Sequence, residues 1–160
     1  MDKITRDQFV TYLNTTPKED TANWALLGVG ITGYGIAYNP QVTTEKWIIH
    51  KSATSEVESY QRAGDVSQKC YKGDPVFEFI NDLRRRAVVG AELHTQVLDI
   101  DRYDGTEAGA YKATKSEITI GITSYMAEEA VIEYTIHYNG DPVVGTVTFA
   151  DGTPTFVEEA

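Results

Sequence analysis

One helix signal stands in a chain that otherwise repeats with a period of two. It lies within residues 38–86, YNPQVTTEKWIIHKSATSEVESYQRAGDVSQKCYKGDPVFEFINDLRRR. Asp74 can cap free backbone N–H groups, and Pro75 suits the first helical position, where its missing N–H costs nothing. Val76, Phe79, Ile80, Leu83 and Ala87 recur at helical spacing and give one apolar face for packing. Arg84, Arg85 and Arg86 fall in the last turn, where cations favour the helix dipole. A single helix over 74–87 in a chain of short alternating runs predicts a mainly β protein. Its expected form is an antiparallel β-sandwich or partial barrel with one flanking α-helix.

About eight strands are expected. Residues 24–30 (WALLGVG) are apolar enough for a buried strand, and 33–38 can add a second. Gly28, Gly30, Gly33 and Gly35 match neither the dinucleotide-binding nor the P-loop spacing, so they are expected to mark bends or close backbone approach. Residues 45–50 (EKWIIH) read as a strand. Residues 51–71 read as an extended loop or hairpin, with strands at 56–60 and 65–71 and few apolar anchors (Val57, Tyr60, Val66). After the helix come strands at 92–101, 115–126, 130–138 and 143–149, with a glycine-rich loop at 102–114. In 115–126 Ile118, Ile120 and Ile122 share one face, and Glu117, Thr119 and Thr123 the other. Asn139-Gly140 signals a hairpin turn, and Asp151-Gly152 turns into a last segment at 155–157. Residues 1–23 are expected to be an N-terminal arm ahead of one domain, 24–160. In that arm Phe9, Val10 and Leu13 allow a short helical turn, and Phe9, Tyr12 and Leu13 serve as docking anchors.

Composition narrows the function. The 160 residues carry a formal charge of −10. Residues 87–160 account for all of it, with 3 Lys/Arg against 13 Asp/Glu. An acidic half disfavours attraction to nucleic acid or to an anionic membrane. No run approaches the ~18 apolar residues a membrane helix needs, and the N-terminus lacks a signal-peptide pattern. A chain made and folded in a cytoplasm, without membrane insertion, is expected. Cys70 is the one cysteine, expected to fill space at a strand end. His50, His94 and His137 have no zinc spacing, no GxSxG motif is present, and Asp99, Asp101 and Asp104 miss the calcium-loop pattern. Neither catalysis nor a cofactor is expected.

The wording NPQ…TEKWI followed by YKGDPVFEFI, together with the order of elements, resembles the major tail (tail tube) proteins of long-tailed phages of Gram-positive bacteria. The resemblance spans roughly 24–160 and is most specific over 38–86. It implies a virion structural protein that assembles in the host cytoplasm. Six copies form a ring, and the rings stack into a tube whose sheets enclose a lumen. The implied partners are further copies of the chain, the tape-measure, tail-terminator and distal tail proteins, and DNA passing through without specific binding. On this reading Glu117 and Glu133, with Asp99 and Asp101 behind them, are expected to face the lumen. Contacts between subunits or rings are expected from Phe9, Tyr12, Leu13, Glu56, Val57, Tyr60 and Val66. Asp74, Val76, Phe79, Ile80 and Leu83 are expected to pack the helix within each subunit. Two alternatives stay open at this point. One is the inner tube of a contractile tail, phage-like bacteriocin or type VI secretion system; the other is a monomeric carbohydrate-binding β-sandwich.

Overall fold

The computed structural model describes residues 1–105 and 109–160; the middle of the expected glycine-rich loop, 106–108, lies outside the described residues. The strands are β1 (Phe9–Asn14), β2 (Trp24–Leu26), β3 (Pro40–Glu45), β4 (Thr54–Tyr60), β5 (Ala63–Lys69), β6 (His94–Gly105), β7 (Tyr111–Met126), β8 (Val131–Ala150) and β9 (Thr153–Glu158). The helix α1 (Pro75–Arg86) separates β5 from β6. Seven strands make one antiparallel sheet in the order β2-β1-β6-β7-β8-β5, with β9 added on β8, and β3 and β4 make a separate pair. Residues after β2 bridge to β5 at Ile31–Gln68 and Ala37–Ala63, so the curled sheet comes close to closing. Among the described residues no helix is long and apolar enough to cross a membrane.

The main core fills the curl. Leu13, Val66, Val97, Ile118, Ile120, Ile132, Tyr134 and Ile136 meet Val76, Phe77, Ile80 and Leu83 of α1. The helix follows its sequence signals. The Asp74 carboxylate accepts the Phe77 N–H, and the chain leaves the helix at Ala87 in the left-handed region. Phe79 is half-buried against the core, and Phe77 is an additional buried contact. Ile118 and Ile120 point inward as expected. A second cluster (Leu98, Ile100, Ala113, Val147) forms on the other side of the sheet, where Phe149 and Phe156 fold over it.

Several expectations change. Residues 9–14 are not a helical turn in an arm but a strand between β2 and β6. Leu13 lies in the main core, while Val10 and Tyr12 pack on the second cluster. A strand covered on both faces loses clean alternation, and that hid it. Deleting residues 1–20 would therefore remove an interior strand rather than free a folded monomer. Of 24–30 only Trp24–Leu26 is strand, and 33–38 holds a single bridge rather than a strand. The projecting element is a hairpin over residues 40–60, not 51–71. β5 belongs to the main sheet, and Val66 is 2% exposed, so it is core and no contact surface. The 46–50 run is the hairpin tip rather than a strand. Asn139-Gly140 does not reverse the chain: β8 runs through it with Gly140 at φ 63, and residues 140–142 bulge between the Asn139–Glu117 and Val143–Lys115 pairs. Asp151-Gly152 is the true tight turn, with both residues at positive φ joining β8 to β9.

Candidate functional site: a polar sheet face and a projecting hairpin

Strand alternation places the odd residues of β5, of the first half of β8 and of β7 from Glu117 to Gly121 on the face opposite the main core, together with the even residues at the start of β6; a bulge after Ile122 brings Ser124 onto the same face. That face is open and hydrophilic. Gln96 Nε2 donates to Glu117 Oε1 at 2.9 Å, and Asn139 Nδ2 donates to Thr119 Oγ1 at 2.7 Å. Thr135 Oγ1 donates to Asp65 Oδ1 at 2.7 Å, and Ser124 Oγ donates to Glu133 Oε2 at 3.3 Å. Each carboxylate is thus tied to a neutral donor. The ion pairs among the described residues are Lys18–Glu92, Arg86–Asp82, Arg86–Glu92 and Lys112–Asp104, and none involves Asp65, Glu117 or Glu133. The sheet orients their charge and no ion pair ties them down, although Lys69 and Lys115 stand on the same face.

The structure separates the four acidic candidates. Glu117 and Glu133 share the polar face, joined there by Asp65, which the sequence reading missed because the long strands it pairs with could not be aligned in advance. Asp99 and Asp101 do not belong with them. Asp99 has the parity of Val97 and turns toward the inner side, where its carboxylate accepts from Thr11 Oγ1 at 2.8 Å and Tyr138 Oη at 3.2 Å. Tyr138 also shares a 2.7 Å hydroxyl contact with Tyr34, and the Arg62 guanidinium lies over its ring. Burial pushes the Asp99 carboxyl above the usual carboxylate range. Asp101 moves the same way through burial and the neighbouring Asp104. Two adjacent acids in one strand look like a solvated face, but Leu98 and Ile100 take the other side and turn both acids inward.

A folded-state carboxyl above its unfolded value means that folding takes up a proton. Asp99 therefore contributes more stability at low pH and loses it as the pH rises through the folded-state pKa. Melting temperatures between about pH 4 and 7 should show a smaller decline with pH in Asp99→Asn than in the parent chain. Parallel curves would refute the assignment.

The hairpin is the second distinctive feature. Every residue of β3 and β4 is exposed. Val42 pairs with Val57, the Tyr38 and Tyr60 rings meet edge to face at 5.6 Å, and Trp47, Ile48 and Ile49 stand in solvent at the tip. Glu56, Val57 and Tyr60 are accessible here. Phe9 is exposed and Tyr12 half-buried, whereas Leu13 is wholly internal and cannot serve as a docking anchor. A lone two-stranded hairpin is marginally stable in water, so one this apolar calls for a surface to rest on. Among the described residues no group of His, Cys, Asp and Glu is arranged to hold a metal ion.

A nearly closed antiparallel sheet with one packed helix and a projecting hairpin is a fold this chain shares with a solved tail protein. The chain is similar to one in the tail of an empty gene transfer agent particle, solved by helical refinement with C6 symmetry. The match covers 88% of this chain and 97% of that one at a TM-score of 0.53 and 14% identity. A chain of the six-fold symmetrised anti-feeding prophage baseplate aligns over 90% of this chain and 95% of that one, with a TM-score of 0.47 and 11% identity. The first likeness establishes a shared fold, while the second is too distant to carry weight. No protein-family model matches the chain, and neither does any curated protein.

Proposed function

We propose that this chain is a structural subunit of a phage-type tail tube, in which six copies form a ring and rings stack around a lumen lined by the Glu117–Glu133 face. The observation that carries the reading is the fold it shares, across nearly the whole chain, with a subunit of a six-fold tail. Two features support it. The polar face presents carboxylates without cationic partners, which lets duplex DNA slide without adhering. The exposed hairpin offers apolar area that only another protein surface can cover. Ring closure would also remove the open edges of the sheet, a liability in an isolated β subunit. The subunit would reside in the virion tail after assembly in the host cytoplasm, and its contacts there would include the tape-measure, tail-terminator and distal tail proteins.

Electron microscopy of the purified chain at high concentration tests this. Tubes of stacked six-fold rings are expected, with Glu117 and Glu133 on the inner wall. A stable monomer at all concentrations, or a tube with Glu117 on its outer wall, would refute the respective claim.

A further inference from the structure

β8 holds the one asparagine of five that is followed by glycine. Asn139 leads into the bulge at 140–142, which Gly140, Asp141 and Pro142 form. Those residues have no partner in the register of β8 with β5, β7 or β9. Pro142 has no N–H to give a ladder, which suits a bulge rather than a paired position. Asn139, Gly140, Asp141 and Pro142 are all exposed. Gly140 stands at φ 63, and no atom lies within 4 Å of where its Cβ would be.

Asparagine is a thermolabile residue. Its side-chain amide is a weak electrophile, and the backbone nitrogen of the next residue is a nucleophile within reach. Attack needs that nitrogen unshielded and its peptide plane free to turn. Glycine has no Cβ to shield the nitrogen, and the bulge has no ladder to hold the plane. The other asparagines lack these conditions. Asn14 and Asn81 are buried, and Asn23 precedes Trp24, which is paired in β2. Asn39 precedes Pro40, which has no N–H.

We propose that Asn139 is a site of spontaneous deamidation, with water as the sole co-reactant. Base takes the Gly140 N–H proton, and the nitrogen attacks Asn139 Cγ. The Cγ–Nδ2 bond breaks, ammonia leaves after taking a proton back from solvent, and a succinimide ring remains. Water then opens the ring at either carbonyl and gives aspartate or isoaspartate. The net change is water taken up and ammonia released. The new carboxylate stands directly across the ladder from Glu117, and like charges so placed destabilise a sheet. Asp141 and Lys115 line the same hollow as Glu117, and Arg62 Nη2 donates to the Gly140 carbonyl at 3.5 Å. Thr119 is the brake: its Oγ1 accepts from Asn139 Nδ2 at 2.7 Å and ties the amide to β7. The chemistry needs only the bulge and holds whether or not the polar face lines a lumen.

To test it, the full chain is held at mildly alkaline and at mildly acidic pH, and peptide mass spectrometry follows every asparagine. Asn139 should convert roughly ten-fold faster than any other, and faster in alkali because base removes the Gly140 proton. Thr119→Val preserves the strand and should raise that rate about five-fold, the worth of one net hydrogen bond. Asn139→Asp mimics the product. Its melting temperature should lie below the parent's at neutral pH and rejoin it in acid, where the opposed carboxylates protonate. Asn139 staying intact in the folded chain while it converts in denaturant would overturn the site, since the fold would then protect it. An unchanged rate in Thr119→Val would remove Thr119 from control. A melting gap that does not close in acid, or no gap at all, would refute the placement of the new charge against Glu117.

Discussion

Replacing Trp47, Ile48 and Ile49 together by serine should abolish the polymerisation proposed above and leave the folded chain almost unchanged. The three side chains are 59%, 103% and 79% exposed, so the isolated fold gains almost nothing from them. Substitutions at such surface positions usually stay within about ±0.5 kcal/mol. Covering them in an assembly would bring roughly 1.5–3 kcal/mol per side chain. Losing on the order of 5 kcal/mol per contact raises the concentration needed for assembly by roughly three to four powers of ten. Pelleting and electron microscopy over a dilution series read the assembly, and thermal melting reads the fold. Tubes at the parent's threshold concentration would remove the hairpin from any role in assembly, while a large drop in melting temperature would mean that the tip serves the subunit itself.

The largest effect on stability is expected at Gln68. This side chain is 0% exposed, yet it is polar. Its amide nitrogen donates to the Val29 carbonyl at 3.0 Å and to Asp74 Oδ2 at 2.7 Å, and its oxygen accepts from Tyr134 Oη at 2.9 Å. The same Asp74 oxygen accepts the Phe77 N–H at the start of α1. Gln68 therefore joins β5, β8, the segment after β2 and the helix cap in one buried network. Gln68→Ala removes the packing and strands the Tyr134 hydroxyl, a cost of about 3–5 kcal/mol. That is a large share of a typical total, and a fall in Tm of roughly 10 °C follows for a chain of this size. Gln68→Leu with Tyr134→Phe should recover about 1 kcal/mol relative to Gln68→Leu alone, because the orphaned hydroxyl is gone. A loss below about 1 kcal/mol in the alanine variant would show that water replaces the network.

Helix α1 was legible because its signals are local. Its cap, first-turn proline, apolar spacing and terminal arginines act within a few residues of one another. The isoleucine row of β7 was legible for a related reason: a strand buried on one face and open on the other alternates cleanly. β1 was not, because apolar contacts on both faces erase that alternation. The hairpin tip misled in the opposite direction. Trp47, Ile48 and Ile49 look like a buried strand only if apolar residues must be inside, and here nothing in the subunit covers them. Asn139-Gly140 carries turn chemistry that a bulge uses as readily as a hairpin.

The polar face was half legible. Glu117 lay opposite an unmistakable apolar row, and Glu133 alternated with Ile132 and Tyr134. Asp99 and Asp101 were misplaced because Val97 and Leu98 are adjacent and both apolar, which leaves the inward side of β6 undecided along the chain.

By itself, then, the sequence determined a mainly β chain with one capped helix and an acidic C-terminal half. Periodicity, capping and charge are properties of near neighbours. Tertiary structure alone decided that residues 9–14 lie inside the sheet, that residues 40–60 project from it, and that Glu117, Glu133 and Asp65 form one face while Asp99 turns away. Those outcomes depend on register between strands up to about a hundred residues apart, where a shift of one residue sends every side chain to the other side.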